Sequence, residues 1–204
     1  MPTLSDAKIS DLLHPYLQTA PKVPANLHSQ LSLYLDLLLK WNARTNLTAI
    51  RDPEEIVRRH FGESLFAALH LAPETPTLLD LGSGAGFPGL PIALLYPQIQ
   101  VTLAESQNKK ATFLREVVRS LGITTEVWAS RAESMPHTRQ FHTVTLRAVD
   151  NMAAALAAAE PRATHQLLLL TSASTAPALP SFPTQTQIPI PESDGRILLS
   201  ATRL

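Results

Sequence analysis

One short stretch of the chain, residues 77–91, combines the residue types that nucleotide-binding sites use. Apolar residues surround an acid, Asp80, and lead directly into a turn. The turn contains three glycines, Gly82, Gly84 and Gly86. Glycine adopts positive φ angles without steric cost and lets a ligand approach the backbone closely. The apolar run that follows predicts a helix whose first N–H groups are free, which completes the strand–turn–helix order of a nucleotide-binding unit.

Two kinds of cofactor fit such a turn. The G-x-G-x-x-G spacing of a dinucleotide site occurs between Gly84 and Gly89, but it begins after the chain has already turned. Pro88 and Pro91 also lack the N–H groups that a pyrophosphate needs. The other register, in which Asp80 precedes the glycines, resembles motif I of the S-adenosylmethionine-dependent methyltransferases, where the acid faces the cationic methionine end of the cofactor. We favour this second interpretation, because a pyrophosphate site has no use for that acid.

Polar residues follow the next strands at the same edge of the predicted sheet. Glu105 ends the second strand about 20 residues after the turn, where an acid accepts hydrogen bonds from ribose hydroxyls. Ala132 and Glu133 follow the third strand and are expected beside an adenine ring. A solvated strand end or an ordinary polar loop also explains these positions.

Arg147 follows the fourth strand, where methyltransferases that attack an exocyclic amine carry an Asn/Asp-Pro-Pro-aromatic motif. That motif is missing from the sequence. A guanidinium binds a carboxylate, a phosphate or a base edge, but it does not act as a general base. We therefore expect Arg147 to position a ligand rather than to accept a proton.

The composition limits the remaining chemistry. The absence of cysteine excludes disulfides, thiolate metal sites and the cysteine adduct through which pyrimidine C5 is methylated. His60 and Glu63 lack a second pair of ligands, so we expect no metal. The formal net charge is zero, and any RNA contact therefore requires a local basic patch. The basic candidates are Arg51, Arg58, Arg59, His60, Lys109, Lys110, Arg115 and Arg119.

The length and the apolar content set the expected organisation. With 204 residues, 45% of them hydrophobic, the chain suits one α/β domain. No apolar run is long enough to span a bilayer, and the N-terminus lacks a secretory signal, so we expect a cytoplasmic protein without a membrane partner, and a monomer.

Helical patterns come first along the chain, and alternating strands and helices follow. The third helix has the clearest start, with Asp52 as N-cap and Pro53 at its first position. We expect a parallel sheet, a long exposed connection over residues 171–187, and a terminal hairpin that turns at Asp194-Gly195. The predicted helices are 4–20, 25–43, 52–73, 109–120 and 152–159; the predicted strands are 77–81, 101–105, 125–129, 143–146 and 166–170.

Several motifs in order identify a family. They are Lys40-Trp41-Asn42, Asn46-Leu47-Thr48-Ala49-Ile50-Arg51-Asp52-Pro53, Arg59-His60, Glu63-Ser64, Asp80 to Pro91, Lys109-Lys110, Ser130-Arg131-Ala132-Glu133 and Arg147-Ala148. Together they resemble the bacterial 16S ribosomal RNA guanine-N7 methyltransferases, also called glucose-inhibited division protein B. The resemblance implies a Rossmann-like class I methyltransferase sheet of about seven strands, with residues 1–74 as a helical cap on a cofactor-binding core, 75–204, in one domain, 1–204.

The resemblance also implies the ligands. S-adenosyl-L-methionine is the implied cofactor, and the small ribosomal subunit is the implied partner, methylated at N7 of guanine 527 of 16S rRNA. The implied cofactor contacts are Gly82, Phe87, Ala132, Glu133 and Arg147, to which the glycine turn and strand ends add Asp80, Gly84, Gly86 and Glu105. The candidate rRNA contacts are Asn46, Arg59, Lys109 and Lys110. The family commonly carries Leu-Lys-Gly after the fifth strand, whereas this chain reads Leu170-Thr171-Ser172 and lacks that basic residue.

The residues agree with a guanine N7 target. N7 carries no proton and keeps a free lone pair, so its attack on a methyl group requires alignment rather than a base. The alternatives are a methyltransferase of the same fold that acts on a small molecule, and a non-catalytic relative that binds the cofactor or RNA.

Overall fold

Seven strands form one sheet in the order β3-β2-β1-β4-β5-β7-β6. The computed structural model describes residues 2–148 and 151–203 of the chain. The strands are β1 Thr77–Leu81, β2 Gln100–Ala104, β3 Glu126–Trp128, β4 Phe141–Arg147, β5 Ala163–Ser172, β6 Thr184–Pro189 and β7 Arg196–Thr202.

The first five strands run parallel, whereas β7 is antiparallel to β5 and β6 is antiparallel to β7. The strand order changes direction between β1 and β4, and this opens a crevice at the carboxyl edge of the sheet. The predicted seven-stranded α/β sheet and the terminal hairpin are therefore confirmed.

Helices cover both faces of the sheet. They are α1 Asp6–Leu17, α2 Leu27–Asn42, α3 Pro53–Ile56, α4 Glu63–Ala68, α5 Gly89–Leu95, α6 Asn108–Leu121 and α7 Met152–Ala159. A π-helical segment, Val57–Gly62, joins α3 to α4 without a break. The expected N-cap is present, since Asp52 Oδ1 accepts a hydrogen bond of 2.8 Å from the backbone N–H of Glu55.

The core lies in two layers, one on each face of the sheet. Leu78 packs with the N-terminal helices, whereas Leu79 and Leu81, on the other face, pack with α7. Alternate residues of a strand point to opposite faces, so this division follows from the period of two. The N-terminal helices share an apolar cluster with β1 and β2; the boundary between a cap, 1–74, and a core, 75–204, stays a prediction.

The structure differs from expectation after β5. Residues 184–187 belong to β6 rather than to an exposed connection, and Leu179 and Phe182 are fully buried. The strand was missed because it lies at the edge of the sheet, where polar residues such as Thr184 and Gln185 are tolerated on an exposed surface. Within residues 2–148 and 151–203, none of the helices has the length and apolar character needed to cross a membrane.

Candidate functional site

A cleft of about 370 Å³ lies at the carboxyl edge of the sheet, where β1, β2 and β4 end. The glycine turn forms its floor, and the loop before α3 forms one wall. The lining residues are Leu47, Thr48, Ala49, Ile50, His60, Gly82, Ser83, Gly84, Ala85, Phe87, Glu105, Lys110, Arg147 and Ala148. A larger cavity of about 490 Å³ lies near Thr77 and Gln100, at the opposite edge, where open parallel sheets do not bind their ligands.

Backbone hydrogen bonds fix the glycine turn. The N–H groups of Gly82 and Ser83 both donate to the carbonyl of Ala104, at 3.0 Å each, and so tie the turn to β2. Gly86 has a φ of 98°, and a Cβ at this position would lie 2.4 Å from Leu90 Cδ1. Gly86 is therefore required by both its backbone conformation and the lack of space.

Glu105 joins the turn to the end of β2. Its carboxylate accepts hydrogen bonds from the N–H of Gly84, at 3.0 Å, and from the N–H of Gln107, at 2.7 Å. The side chain is buried but lines the cleft. A carboxylate has about four acceptor positions, so two of them remain for hydroxyl donors of a ligand.

Asp80 lies beneath the turn rather than in the cleft. It is 1% exposed, and its two oxygens accept hydrogen bonds from the N–H of Gly89 and from the hydroxyl of Thr145, at 3.0 and 2.9 Å. Burial raises the pKa of this carboxyl to about 6, although the hydrogen bonds from Gly89, Thr145 and Ser83 oppose the shift. In the described structure Asp80 supports the start of α5 directly.

His60 projects from the π-helical segment into the wall of the cleft. Its ring stacks on Phe87 of the turn, with centroids 4.8 Å apart. Its Nδ1 lies 2.9 Å from the guanidinium of Arg147 and accepts the hydrogen bond, because a guanidinium can only donate. In the neutral ring Nε2 therefore carries the proton, and it donates to Thr48 Oγ1 at 2.7 Å. Burial, with the nearby guanidiniums of Arg147, Arg59 and Arg196, lowers the pKa of His60 to about 2. The imidazole is therefore neutral, and both of its nitrogens are occupied.

Glu63 is the centre of an arginine cluster behind that wall. Its side chain is fully buried, and its carboxylate contacts Arg59 at 3.1 Å, Arg147 at 3.1 Å and Arg196 at 2.8 Å. Arg196 reaches the site from β7, and its Nε has no partner within the described residues. Burial lowers the pKa of Arg147 to about 10, so this guanidinium remains charged at neutral pH. Three guanidiniums around one carboxylate leave an excess of positive charge beside the cleft.

Asn42 holds the loop that forms the other wall. Its side-chain oxygen accepts hydrogen bonds from the N–H groups of Leu47 and Thr48, at 2.9 and 3.1 Å, and its amide donates to the carbonyl of Thr48 at 3.0 Å. Arg51 donates to the carbonyl of Asn42 and to the side chain of Asn46. The Trp-Asn…Asn-Leu-Thr motif therefore shapes this loop.

The structure brings together part of the predicted site. Gly82, Gly84, Phe87, Glu105 and Arg147 line the cleft, and Lys110 stands at its rim. Other predicted residues lie elsewhere: Asp80 is buried beneath the turn, Gly86 is buried within it, Lys109 is exposed beside Lys110, Asn46 is exposed in the loop, and Arg59 pairs with Glu63. Ala132 and Glu133 form a 3₁₀ turn, Ala132–Ser134, and do not line the cleft, so their adenine contact stays a prediction.

Sequence reasoning missed the roles of His60, Glu63, Thr48 and Arg196. The i, i+3 spacing of His60 and Glu63 resembles half of a metal site, but the described residues contain no group of three side chains that could hold a metal ion. Their presence in the motif Arg59-His60…Glu63-Ser64 was the signal that pointed to them.

Sequence comparison with known proteins identifies the family of the chain. The sequence profile of the GidB family, described as rRNA small subunit methyltransferase G, matches residues 27–187. The chain belongs to this family. A stretch of 139 residues is 44% identical to Ribosomal RNA small subunit methyltransferase G of Xanthomonas euvesicatoria pv. vesicatoria and covers 68% of this chain and 65% of that relative. The corresponding protein of Stenotrophomonas maltophilia is 48% identical over 121 residues, which are 59% of this chain and 56% of the relative.

The matched stretches thus span somewhat less than two thirds of the relatives' length. Among solved structures, ribosomal protein L11 methylase from Lactobacillus delbrueckii subsp. bulgaricus aligns with a TM-score of 0.58 at 12% identity. The alignment covers 72% of this chain and 79% of the methylase. At this identity the likeness shows the fold alone, which is the class I methyltransferase sheet that the sequence predicts.

Proposed function

We propose that the chain transfers a methyl group from S-adenosyl-L-methionine to N7 of guanine 527 of 16S rRNA. The observation that carries the proposal is a cleft at the switch point of the sheet whose described lining residues fit a nucleoside-like cofactor and include no free general base. Membership of the GidB family supports ribosomal RNA as the substrate.

The residues of the cleft fit the proposed cofactor. Glu105 is oriented by two backbone N–H groups and keeps acceptor positions for ribose hydroxyls. Gly84 has a φ of 58°, and a Cβ there would have one neighbour, the Gly82 carbonyl oxygen at 3.9 Å, so a ligand can approach the backbone closely. The positive charge of Arg147 suits a carboxylate at the other end of the cleft. When bound, the cofactor supplies a methyl group activated by a sulfonium.

The protonation states favour an acceptor that needs no deprotonation. Among the described residues that line the cleft, four carry titratable side chains: His60, Glu105, Lys110 and Arg147. His60 is neutral, but its Nδ1 lone pair accepts a hydrogen bond from Arg147, and the Glu105 carboxylate accepts hydrogen bonds from two backbone N–H groups. An exocyclic amine or a hydroxyl would require a base, whereas guanine N7 offers a lone pair directly. The task of the side chains is then alignment of the reacting atoms.

The substrate is expected to approach over the rim formed by Lys109, Lys110 and the loop that contains Asn46. These side chains are exposed or half-buried next to the cleft, and a phosphate backbone would meet positive charge there despite the neutral chain. An unstacked guanine in an RNA loop suits such a site better than a paired one. We further propose that the chain is a monomer with a single domain. We also propose that it acts in the cytoplasm, where its substrate is made.

The test is methyl transfer from tritiated S-adenosyl-L-methionine to small ribosomal subunits and to naked 16S rRNA, followed by nucleoside analysis. We expect labelled 7-methylguanosine, and none when guanine 527 is replaced. Cofactor binding without any transfer to RNA would contradict the proposal and favour a non-catalytic relative. Transfer to small molecules only would favour a methyltransferase of another substrate class.

A variant of Arg147 tests the role of the guanidinium. Arg147→Lys keeps a positive charge but loses the fork that holds His60 and Glu63 together. We expect methyl transfer to fall by about tenfold or more, while circular dichroism shows a folded protein. Turnover equal to that of the wild type would remove Arg147 from the site.

A further inference from the structure

A second, smaller pocket lies beside the cleft. It has a volume of about 170 Å³ and is lined by Lys40, Trp41, Arg44 and Thr45, at the carboxyl end of α2. Trp41 is half-buried, whereas Lys40 and Arg44 are exposed.

The pocket and the cleft are neighbours. Trp41 packs on Phe113 of α6, with ring centroids 5.7 Å apart, and Lys110, one helical turn earlier, lines the cleft. On the loop side, the N–H of Thr45 donates to the carbonyl of Trp41, and Leu47 and Thr48 already belong to the wall of the cleft. The cleft and the pocket are thus linked through α6 on one side and through the loop after α2 on the other.

Basic side chains outnumber acidic ones around this path. Within the described part of the chain, no ion pair involves Lys40, Arg44, Arg51, Lys109 or Lys110. The acids nearby are engaged: Glu105 binds backbone N–H groups, and Asp36 accepts a hydrogen bond from the N–H of Thr3. A local excess of cations in a chain of zero net charge suits a polyanion.

The two tryptophans of the chain differ in whether the indole N–H and the ring already have partners. Trp128 donates its indole N–H to the carbonyl of Arg131 at 3.1 Å, and the guanidinium of Arg139 lies 5.8 Å from its ring. Trp41 has no hydrogen bond from its indole within residues 2–148 and 151–203, and its ring lines an open pocket. Exposed aromatic rings between basic side chains are the platforms on which unpaired nucleic-acid bases stack.

We infer that this pocket binds an unpaired base of the substrate RNA next to the methylated nucleotide, stacked on Trp41, with Lys40 and Arg44 at the flanking phosphates. The inference rests on the proposed function, because it assigns a second contact of the same substrate. Stacking on an aromatic ring accepts any base, so Trp41 increases affinity for a single strand rather than reading sequence.

Fluorescence tests the stacking directly. In a Trp128→Phe protein, Trp41 is the single tryptophan, and we expect a short oligouridylate to quench its emission. Absence of quenching at concentrations that saturate binding would overturn the inference. This titration needs no methyl transfer, so it decides the pocket even if the proposed function fails.

Kinetics with 16S rRNA then test the role of the ring. Trp41→Leu keeps an apolar side chain against Phe113 but removes the stacking surface, and we expect KM for RNA to rise by about tenfold or more with little change in kcat. Trp41→Phe should recover part of the loss, and the affinity for S-adenosyl-L-methionine should stay constant. An unchanged KM in Trp41→Leu would overturn the inference. A Trp41→Leu protein with a higher KM for assembled subunits but an unchanged KM for naked rRNA would also overturn it, because that result would indicate that the pocket binds a protein.

Salt dependence tests the two cations. The double variant Lys40→Gln, Arg44→Gln should lower the slope of log affinity against log salt by about 0.7 for each lost phosphate contact. Lys22→Gln, at an exposed position between α1 and α2, is the matched control and should leave the slope unchanged. Equal slopes in the double variant and the control would remove Lys40 and Arg44 from the RNA path.

Discussion

The glycine turn is held from two sides by different chemistry. On the strand side, Asp80 of β1 accepts hydrogen bonds from the N–H of Gly89, at the start of α5, and from the hydroxyl of Thr145 in β4. On the helix side, His60, Arg147 and Glu63 form a chain of contacts that joins the π-helical segment, β4 and, through Arg196, β7. One side depends on neutral donors and the other on charges.

This difference separates two tasks. Neutral donors around Asp80 set the backbone of the turn, which any nucleotide-binding sheet needs. The charged chain on the helix side instead fixes a neutral His60 and a cationic Arg147 at the wall where a substrate would lie. The strand side therefore fixes the backbone of the turn, and the helix side fixes the charged wall of the cleft.

The largest effect is expected from breaking the helix side at Glu63. Glu63→Gln leaves three arginines without their buried partner, and removal of one member of a buried pair costs about 3–5 kcal/mol. Urea unfolding measures the loss. Glu55→Gln, which affects an exposed partner of Arg59 at 3.9 Å, is the control and should cost at most about 1 kcal/mol. Similar losses in the two variants would show that the cluster does not support the wall.

A matched pair of glycines compares the packing of the turn against Asp80 with its packing against Leu90 and Tyr34. In Gly86→Ala the new Cβ meets Leu90 and the hydroxyl of Tyr34, at 2.4 and 2.7 Å, and the residue keeps a φ of 98°. In Gly89→Ala it meets Leu103 at 2.4 Å and Asp80 at 2.8 Å, without positive φ. Overpacking costs about 1–3 kcal/mol in each, and positive φ adds about 1–2 kcal/mol to the first. A larger unfolding loss in Gly89→Ala would show that the strand side is the more rigid one.

The smallest effect is a pH dependence of opposite sign on the two sides. The pKa of Asp80 rises from 3.8 to about 6 by burial, so its contribution to stability is present below pH 3.8 and is lost as the pH rises through about 6. The pKa of His60 falls from 6.5 to about 2 by burial and nearby guanidiniums, so its contribution is present above pH 6.5 and is lost as the pH falls.

Variants at the two positions should therefore tilt the stability curve in opposite directions. Between about pH 4 and pH 6, Asp80→Asn should make stability fall more steeply on acidification, and His60→Gln should make it fall less steeply. Each change in slope is limited to about 1.4 kcal/mol per pH unit. Urea unfolding at several pH values gives the slopes. Curves that stay parallel to the wild type would mean that neither group titrates differently in the folded protein.

The individual strands and helices were largely predictable from the sequence because their signals are local. The predicted strand 77–81 and helix 152–159 coincide with β1 and α7. Gly122 ends α6 in the left-handed region, with a φ of 65°, as glycine does after a helix. In each case the residues that determine the structure lie within a few positions of it.

The helix side was not predictable because its contacts join distant parts of the chain. Arg147 binds His60 and Glu63 across more than 80 residues, and Arg196 reaches Glu63 across 133. No periodicity or spacing indicates which charges will meet. For the same reason β5, expected over 166–170, extends over Ala163–Ser172, since its antiparallel pairing with β7 continues to Ser172.

Glu105 has a further consequence for ligand design. Its carboxylate is clamped by two backbone N–H groups before any ligand arrives, so the rotamer freedom that a flexible acid would lose on binding has already been lost in folding. Immobilising one such side chain typically costs about 0.5–1.5 kcal/mol of affinity. An inhibitor that places a diol opposite Glu105 should therefore gain most of the enthalpy of its hydrogen bonds, whereas one that disturbs Gly84 would release the clamp and forfeit that advantage.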